Sequence, residues 1–136
     1  MAISPVMVDF GAFRMDRPFQ DLVLKKLRPG DIYTHAFYAP VPYFDKEGKL
    51  LPYLREARKR GVLFDVGHGG DAFEFKQAAR AVRPGFPPNP ISTDCKSWSL
   101  NSGKQELLDF LPTVPKMDLA GGRDVYRAPW TLDERS

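Results

Sequence analysis

Apolar and polar positions along the chain follow two alternating periods. Short runs that contain β-branched residues and end at turn signals read as strands. They are PVMVDF over residues 5–10, DIYTHAF over 31–37, VLFDV over 62–66 and ISTD over 91–94. Between them the spacing turns helical. FQDLVLKKL, residues 19–27, places Phe19, Leu22, Val23 and Leu27 at helical intervals and stops at Arg28-Pro29-Gly30. LLPYLREARKR, 50–60, is amphipathic, carries its basic residues in the last turn and is closed by Gly61. DAFEFKQAARAV, 71–82, predicts a helix with Asp71 as N-cap, halted by Pro84 and Gly85. GKQELLDFL, 103–111, predicts a last helix, and the tail over 112–136 has little periodicity. The Pro- and Tyr-rich stretch 38–49 reads as a loop, either covering a pocket or packed into the core.

Strand starts near residues 5, 31, 62 and 91 give units of roughly 30 residues, the length of a βαβ block. Strand and helix in alternation imply an α/β fold with parallel strands and helices packed outside. Four such strands make either an open sheet or half of an eight-stranded barrel, which takes about 250 residues.

Reactive groups in parallel α/β folds gather at the carboxyl ends of strands. Each expected strand here ends in a polar, chemically capable residue: Asp9, His35, Asp65 with His68 close behind, and Asp94. Imidazole nitrogen and carboxylate oxygen suit a borderline cation such as zinc. A carboxylate beside such a cation can also take a proton from water. Structural alternatives stand beside each residue. His35 on an apolar run also reads as a hydrogen-bonded core histidine, and Asp9 as a loop cap. Asp65 also reads as the tie of its own turn, His68 as a loop residue and Asp94 as a cap. Gly67, Gly69 and Gly70 around His68 permit close backbone approach. No GxGxxG follows the first strand, which argues against an open-sheet nucleotide binder.

Composition narrows the setting. The 136 residues suit one domain; 43% are hydrophobic and 27% charged. Twenty basic and 17 acidic residues leave a net charge of +3 without a dense basic block, so no nucleic-acid partner is expected. Thirteen prolines and 11 glycines are spread as punctuation rather than gathered in a linker. One cysteine, Cys95, excludes an intrachain disulfide, reads as a small buried filler and suggests a reducing compartment, hence a cytoplasmic protein. Neither a membrane span nor a secretory leader is expected.

The stretches PVMVDFG, LRPGDIYTHAF, LREARKRGVLFDVGHGG and ISTD, in this order and spacing, resemble the amidohydrolase superfamily. The likeness is to its dihydroorotase-like, deacetylase-type metal-dependent hydrolases and covers about residues 5–111. It implies a (β/α)8 barrel with one or two divalent metals, usually zinc, at the carboxyl-end face. This chain resembles strands five to eight of that barrel, a carboxyl-terminal half-barrel (1–111) followed by a poorly matching tail (112–136). Carried over by position, His35 matches the strand-six metal ligand. Asp94 matches the strand-eight aspartate, which binds metal and acts as general base toward the attacking water. Asp9 stands where the strand-five ligand is usually histidine, and His68 lies on the loop where substrate contacts are made. Cys95 and Lys96 depart from the leucine and histidine usual after STD. The strand-one HxH pair and the strand-four lysine have no counterpart here.

The implied function is hydrolysis of amide-type C–N bonds, in cyclic amides or N-acyl groups, in a small-molecule substrate. The alternative is a catalytically inactive remnant serving as an interaction module. A half-barrel leaves two strand edges open, so a homo-oligomer that pairs them is also expected.

Overall fold

The computed structural model describes residues 4–9, 19–69 and 72–94. Asp71, Cys95, Lys96, the expected helix 103–111 and the tail 112–136 lie outside the described residues.

Three short strands, β1 (Met7–Val8), β2 (Ile32–Tyr33) and β3 (Leu63–Phe64), form one parallel sheet in that order. Met7 pairs with Ile32 and Ile32 with Leu63, so the strands advance in step. Helices alternate with them. α1 (Phe19–Asp21) widens into a π-helical turn (Leu22–Lys26); α2 (Pro52–Lys59) and α3 (Phe75–Val82) follow β2 and β3. The parallel α/β class expected from the two periods is the class observed.

Details differ from the expected elements for local reasons. The helix over 19–27 keeps its buried side at Phe19, Val23 and Leu27 but opens after Asp21. The Arg60 guanidinium reaches across to donate to the Val23 and Leu27 carbonyls at 2.7 and 3.2 Å, satisfying backbone acceptors at the loosened turn. α3 begins at Phe75, capped by Glu74, whose carboxylate accepts from the Lys76 and Gln77 amides. Residues 91–94 do not form a regular strand. The chain from Asn89 onward instead runs parallel along the outer edge of β3. There Val66, His68 and Gly69 donate backbone N–H groups to the carbonyls of Pro90, Ser92 and Thr93. Pro87, Pro88 and Pro90 bring no N–H to a ladder, which keeps the segment irregular.

The core is a row of rings. Phe19 meets Tyr33 edge-on at 4.8 Å, Tyr33 meets Phe64, and Phe64 meets Phe86 at 5.0 Å. The row goes on through Tyr43 and Phe37 to Phe73. Most of these rings are fully buried, each stabilising by roughly 1.5–3 kcal/mol. The loop 38–49 is thus part of the core through Val41 and Tyr43. Arg58 lays its guanidinium 3.7 Å above the Phe86 ring and donates to the Pro87 carbonyl, and burial pulls its pKa down to about 10. Beyond β1 no further strand pairs among the described residues, and Val6 and Met7 are exposed there. No described helix is long and apolar enough to cross a membrane.

Asp31 fixes the amino ends of the strands. Its carboxylate accepts from the Val6 amide at 3.0 Å, from the Arg28 amide at 2.7 Å and from the Arg28 guanidinium. Hydrogen bonding from Arg28 holds this carboxyl well below the usual carboxylate range. A depressed carboxyl contributes stability that is complete above its unfolded value of about 3.9 and is lost as pH falls further. Asp31→Asn is therefore expected to lower the melting midpoint at pH 7. Its deficit relative to the unsubstituted chain should narrow below about pH 4. A deficit that stays constant down to pH 2 would contradict this account of the clamp.

Candidate functional site

At the carboxyl ends of the strands the chain brings Asp9, His35 and Asp94 together. The His35 Nε2 lies 3.7 Å from Asp9 Oδ2 and 3.8 Å from Asp94 Oδ2. The imidazole is largely buried, Asp94 is partly covered, and the Asp9 side chain is half open to solvent.

His35 reaches this point through a break in β2. In a regular parallel ladder Asp65 would bond to Tyr33 and His35. Here the Asp65 amide donates to the Tyr33 carbonyl, but the Asp65 carbonyl accepts from Ala36, one residue further on. The extra residue is a bulge, a device that re-aims a side chain at a strand end. His35 pays for it with a φ of +58°, and Asp94 has a φ of +52°. These are the two non-glycine residues with positive φ among the described residues. Such conformations cost energy and collect at functional sites.

The ring orientation is fixed by one hydrogen bond. His35 Nδ1 lies 2.7 Å from the Gly67 carbonyl oxygen. A carbonyl can only accept, so one proton sits on Nδ1, and in the neutral form of the ring Nε2 carries the lone pair. That lone pair and two carboxylates then converge. Three electron-rich groups so placed repel one another unless a cation or a proton lies between them. Two donors at ~2.1 Å from one tetrahedral ion are about 3.4 Å apart, only slightly closer than the separations here.

The donor chemistry therefore fits a divalent cation, while the set is incomplete. Among the described residues no group of three or more His, Cys, Asp or Glu side chains is gathered tightly enough to hold a metal ion. Tyr33 adds no proton-transfer group, because burial, and then the Asp9 charge, push its phenol far above its ordinary value.

His68 occupies a packed position. Its ring is buried and stacks on Phe73 at 5.1 Å, extending the core's row of rings to this edge, and its Nδ1 lies 2.8 Å from the Gly69 carbonyl oxygen. The glycines on either side do steric work. A Cβ on Gly67 would overlap the Thr34 hydroxyl and lie 2.8 Å from His35 Nδ1; one on Gly69 would lie 3.0 Å from Asp94 Oδ2. The close approach that the glycine-rich loop permits is thus made to His35 and Asp94.

Two residues of this edge escape a reading of the sequence, Thr34 and Ser92. Their hydroxyls both donate to Asp65 Oδ2, at 2.7 and 2.6 Å. Asp65 ties neighbouring segments together rather than its own turn. The available signal was a hydroxyl residue one or two positions before each of His35 and Asp94.

Both loop glycines have φ of +51°. Gly67→Ala adds left-handed strain and a clash with a packed strand, together about 2–4 kcal/mol. Gly69→Ala meets the movable end of a carboxylate and should cost about 1–2 kcal/mol, mostly strain. Denaturant midpoints check this order; equal losses would contradict the packing described for Gly67.

No family model matches the chain. It is 31% identical over 119 residues to a deacetylase of Enterococcus faecalis, covering 86% of this chain and 31% of that protein. It is 34% identical over 116 residues to a deacetylase of Agrobacterium fabrum, covering 85% of this chain and 28% of that one. The chain thus spans about a third or less of the curated relatives it matches. Among solved structures, an adenine deaminase superposes with a TM-score of 0.70 at 32% identity, over 86% of this chain and 31% of the other. A dihydroorotase superposes with a TM-score of 0.52 at 34% identity, over 74% of this chain and 25% of the other. Relatives and structural neighbours together support placing this chain in the amidohydrolase-like superfamily.

Proposed function

We propose that this chain forms part of a metal-dependent hydrolase of the amidohydrolase type. It would cleave amide-type C–N bonds, in cyclic amides or N-acyl groups, of a small-molecule substrate in the cytoplasm. The observation that carries the reading is the convergence of His35 Nε2 with the Asp9 and Asp94 carboxylates. In this reading residues 1–111 correspond to strands five to eight of a (β/α)8 barrel, and 112–136 are a tail outside that match. Names of deacetylases among the relatives, and of an adenine deaminase and a dihydroorotase among the structural neighbours, support C–N hydrolysis as the reaction class.

His35, Asp94 and Asp9 would hold a divalent cation, zinc by donor chemistry, with one or two ions in the complete site. When bound, such a cation supplies Lewis acidity toward a carbonyl and acidifies water. Asp94 accepts the proton of the attacking water and passes it to the leaving nitrogen, so its carboxylate ends the cycle as it began. Gly67 keeps the Nε2 lone pair of His35 directed at the site through its carbonyl. The loop that carries His68 would border the substrate, with the His68 ring itself packed on Phe73. Any remaining donors would come from outside the described residues or from a second copy in a homo-oligomer.

A second reading, a catalytically inactive remnant acting as an interaction module, is favoured by the lack of a three-donor group among the described residues. Calorimetric titration of the purified chain with zinc separates the two. Zinc uptake that falls by more than about tenfold in His35→Ala supports the hydrolase reading. Absent uptake, or uptake indifferent to His35→Ala, supports the remnant.

A further inference from the structure

We propose that Asp65 is the positioning residue of this site, a single carboxylate that sets the imidazole of His35 and the carboxylate of Asp94 relative to each other. The inference builds on the reading of the rim as a cation site, but its geometry stands without a cation.

Asp65 is 1% exposed. Its Oδ2 accepts the Thr34 hydroxyl at 2.7 Å and the Ser92 hydroxyl at 2.6 Å, short bonds of the charge-assisted kind. Its Oδ1 is buried and has no hydrogen-bond partner among the described residues. Burying a carboxylate with one oxygen unmatched opposes folding, and a well-packed apolar residue in its place would be the more stable choice. Geometry offers a reason for keeping the carboxylate.

Three segments meet at this one side chain. Thr34 directly precedes His35. Ser92 stands two residues before Asp94. Asp65 itself stands two residues before Gly67, whose carbonyl holds His35 Nδ1. The backbone of Asp65 also brackets the bulge, through Tyr33 on one side and Ala36 on the other. The imidazole, its anchoring carbonyl and the facing carboxylate therefore share one point of reference. Backbone bonds from His68 and Gly69 to Ser92 and Thr93 join two of these segments, and the Asp65 carboxylate adds the side-chain tie that links all three.

The test reads the ring of His35 directly, with or without metal. The chain has two histidines, so His35→Gln assigns the imidazole signals of a chain with ¹⁵N-labelled histidine. In the unsubstituted chain the His35 Nδ1–H is expected as a slowly exchanging proton. In Ser92→Ala and Asp65→Asn its exchange should quicken by roughly tenfold or more, the worth of one hydrogen bond, while α2 amides keep their protection. Thr34→Val is the milder companion should Asp65→Asn fail to fold. A purely structural role would change α2 protection and the ring proton together. Nδ1–H exchange unchanged in both Ser92→Ala and Thr34→Val, or quickened only in step with the α2 amides, overturns the proposal. Zinc titrations of the same variants report separately. A clamp intact by exchange in a chain that takes no zinc defeats the cation reading and leaves the positioning role standing. Where zinc is taken, its affinity should drop roughly 10- to 100-fold on Ser92→Ala.

Discussion

Parallel strands of two residues cannot hold their own register. So few ladder bonds join β1, β2 and β3 that alignment passes to side chains, and two buried carboxylates take it on. Asp31 gathers the amino ends by accepting from Val6 and Arg28. Asp65 gathers the carboxyl ends by accepting from Thr34 and Ser92. The two differ in character. Asp31 has a guanidinium beside it and gains from ionisation. Among the described residues Asp65 has only hydroxyls as side-chain partners, so its burial is the costlier and its constraint on neighbouring segments the more informative.

Strain sits at the same edge. His35 and Asp94 adopt left-handed backbone conformations; Gly67 opposite His35 leaves no room for a Cβ, and Gly69 opposite Asp94 leaves little. A loosely packed loop would relax out of such states. Here the ring row beneath, ending with Phe73 against His68, gives the loop a rigid floor. The rim can then present an imidazole lone pair to two carboxylates, an arrangement that solvent alone would disperse.

Element type was legible in the sequence because it depends on local periodicity. α2 and β3 fall where LLPYLREARKR and VLFDV put them, since apolar spacing and Gly61 mark both directly. The positions of Asp9 and His35 after apolar runs were legible for a similar reason, whereas Asp94 follows Ser92 and Thr93 in a segment that is not a regular strand. What escaped depends on contacts distant in sequence. The bulge at His35 is made by a carbonyl 30 residues later, from Asp65. Glu74 caps α3 in the described structure, which a choice between nearby acidic residues could not settle from spacing. The partnership of Thr34, Asp65 and Ser92 crosses three segments, and hydroxyl residues are too common to announce it.

The row of rings from Phe19 to His68 has an evolutionary consequence. Each inner ring touches two neighbours, mostly edge-on, so an exchange at one link disturbs contacts on both sides. Such couplings make substitutions non-additive. Drift along Phe19, Tyr33, Phe64, Phe86, Tyr43 and Phe37 should therefore proceed by compensated pairs of replacements, while helix surfaces turned to solvent diverge one residue at a time.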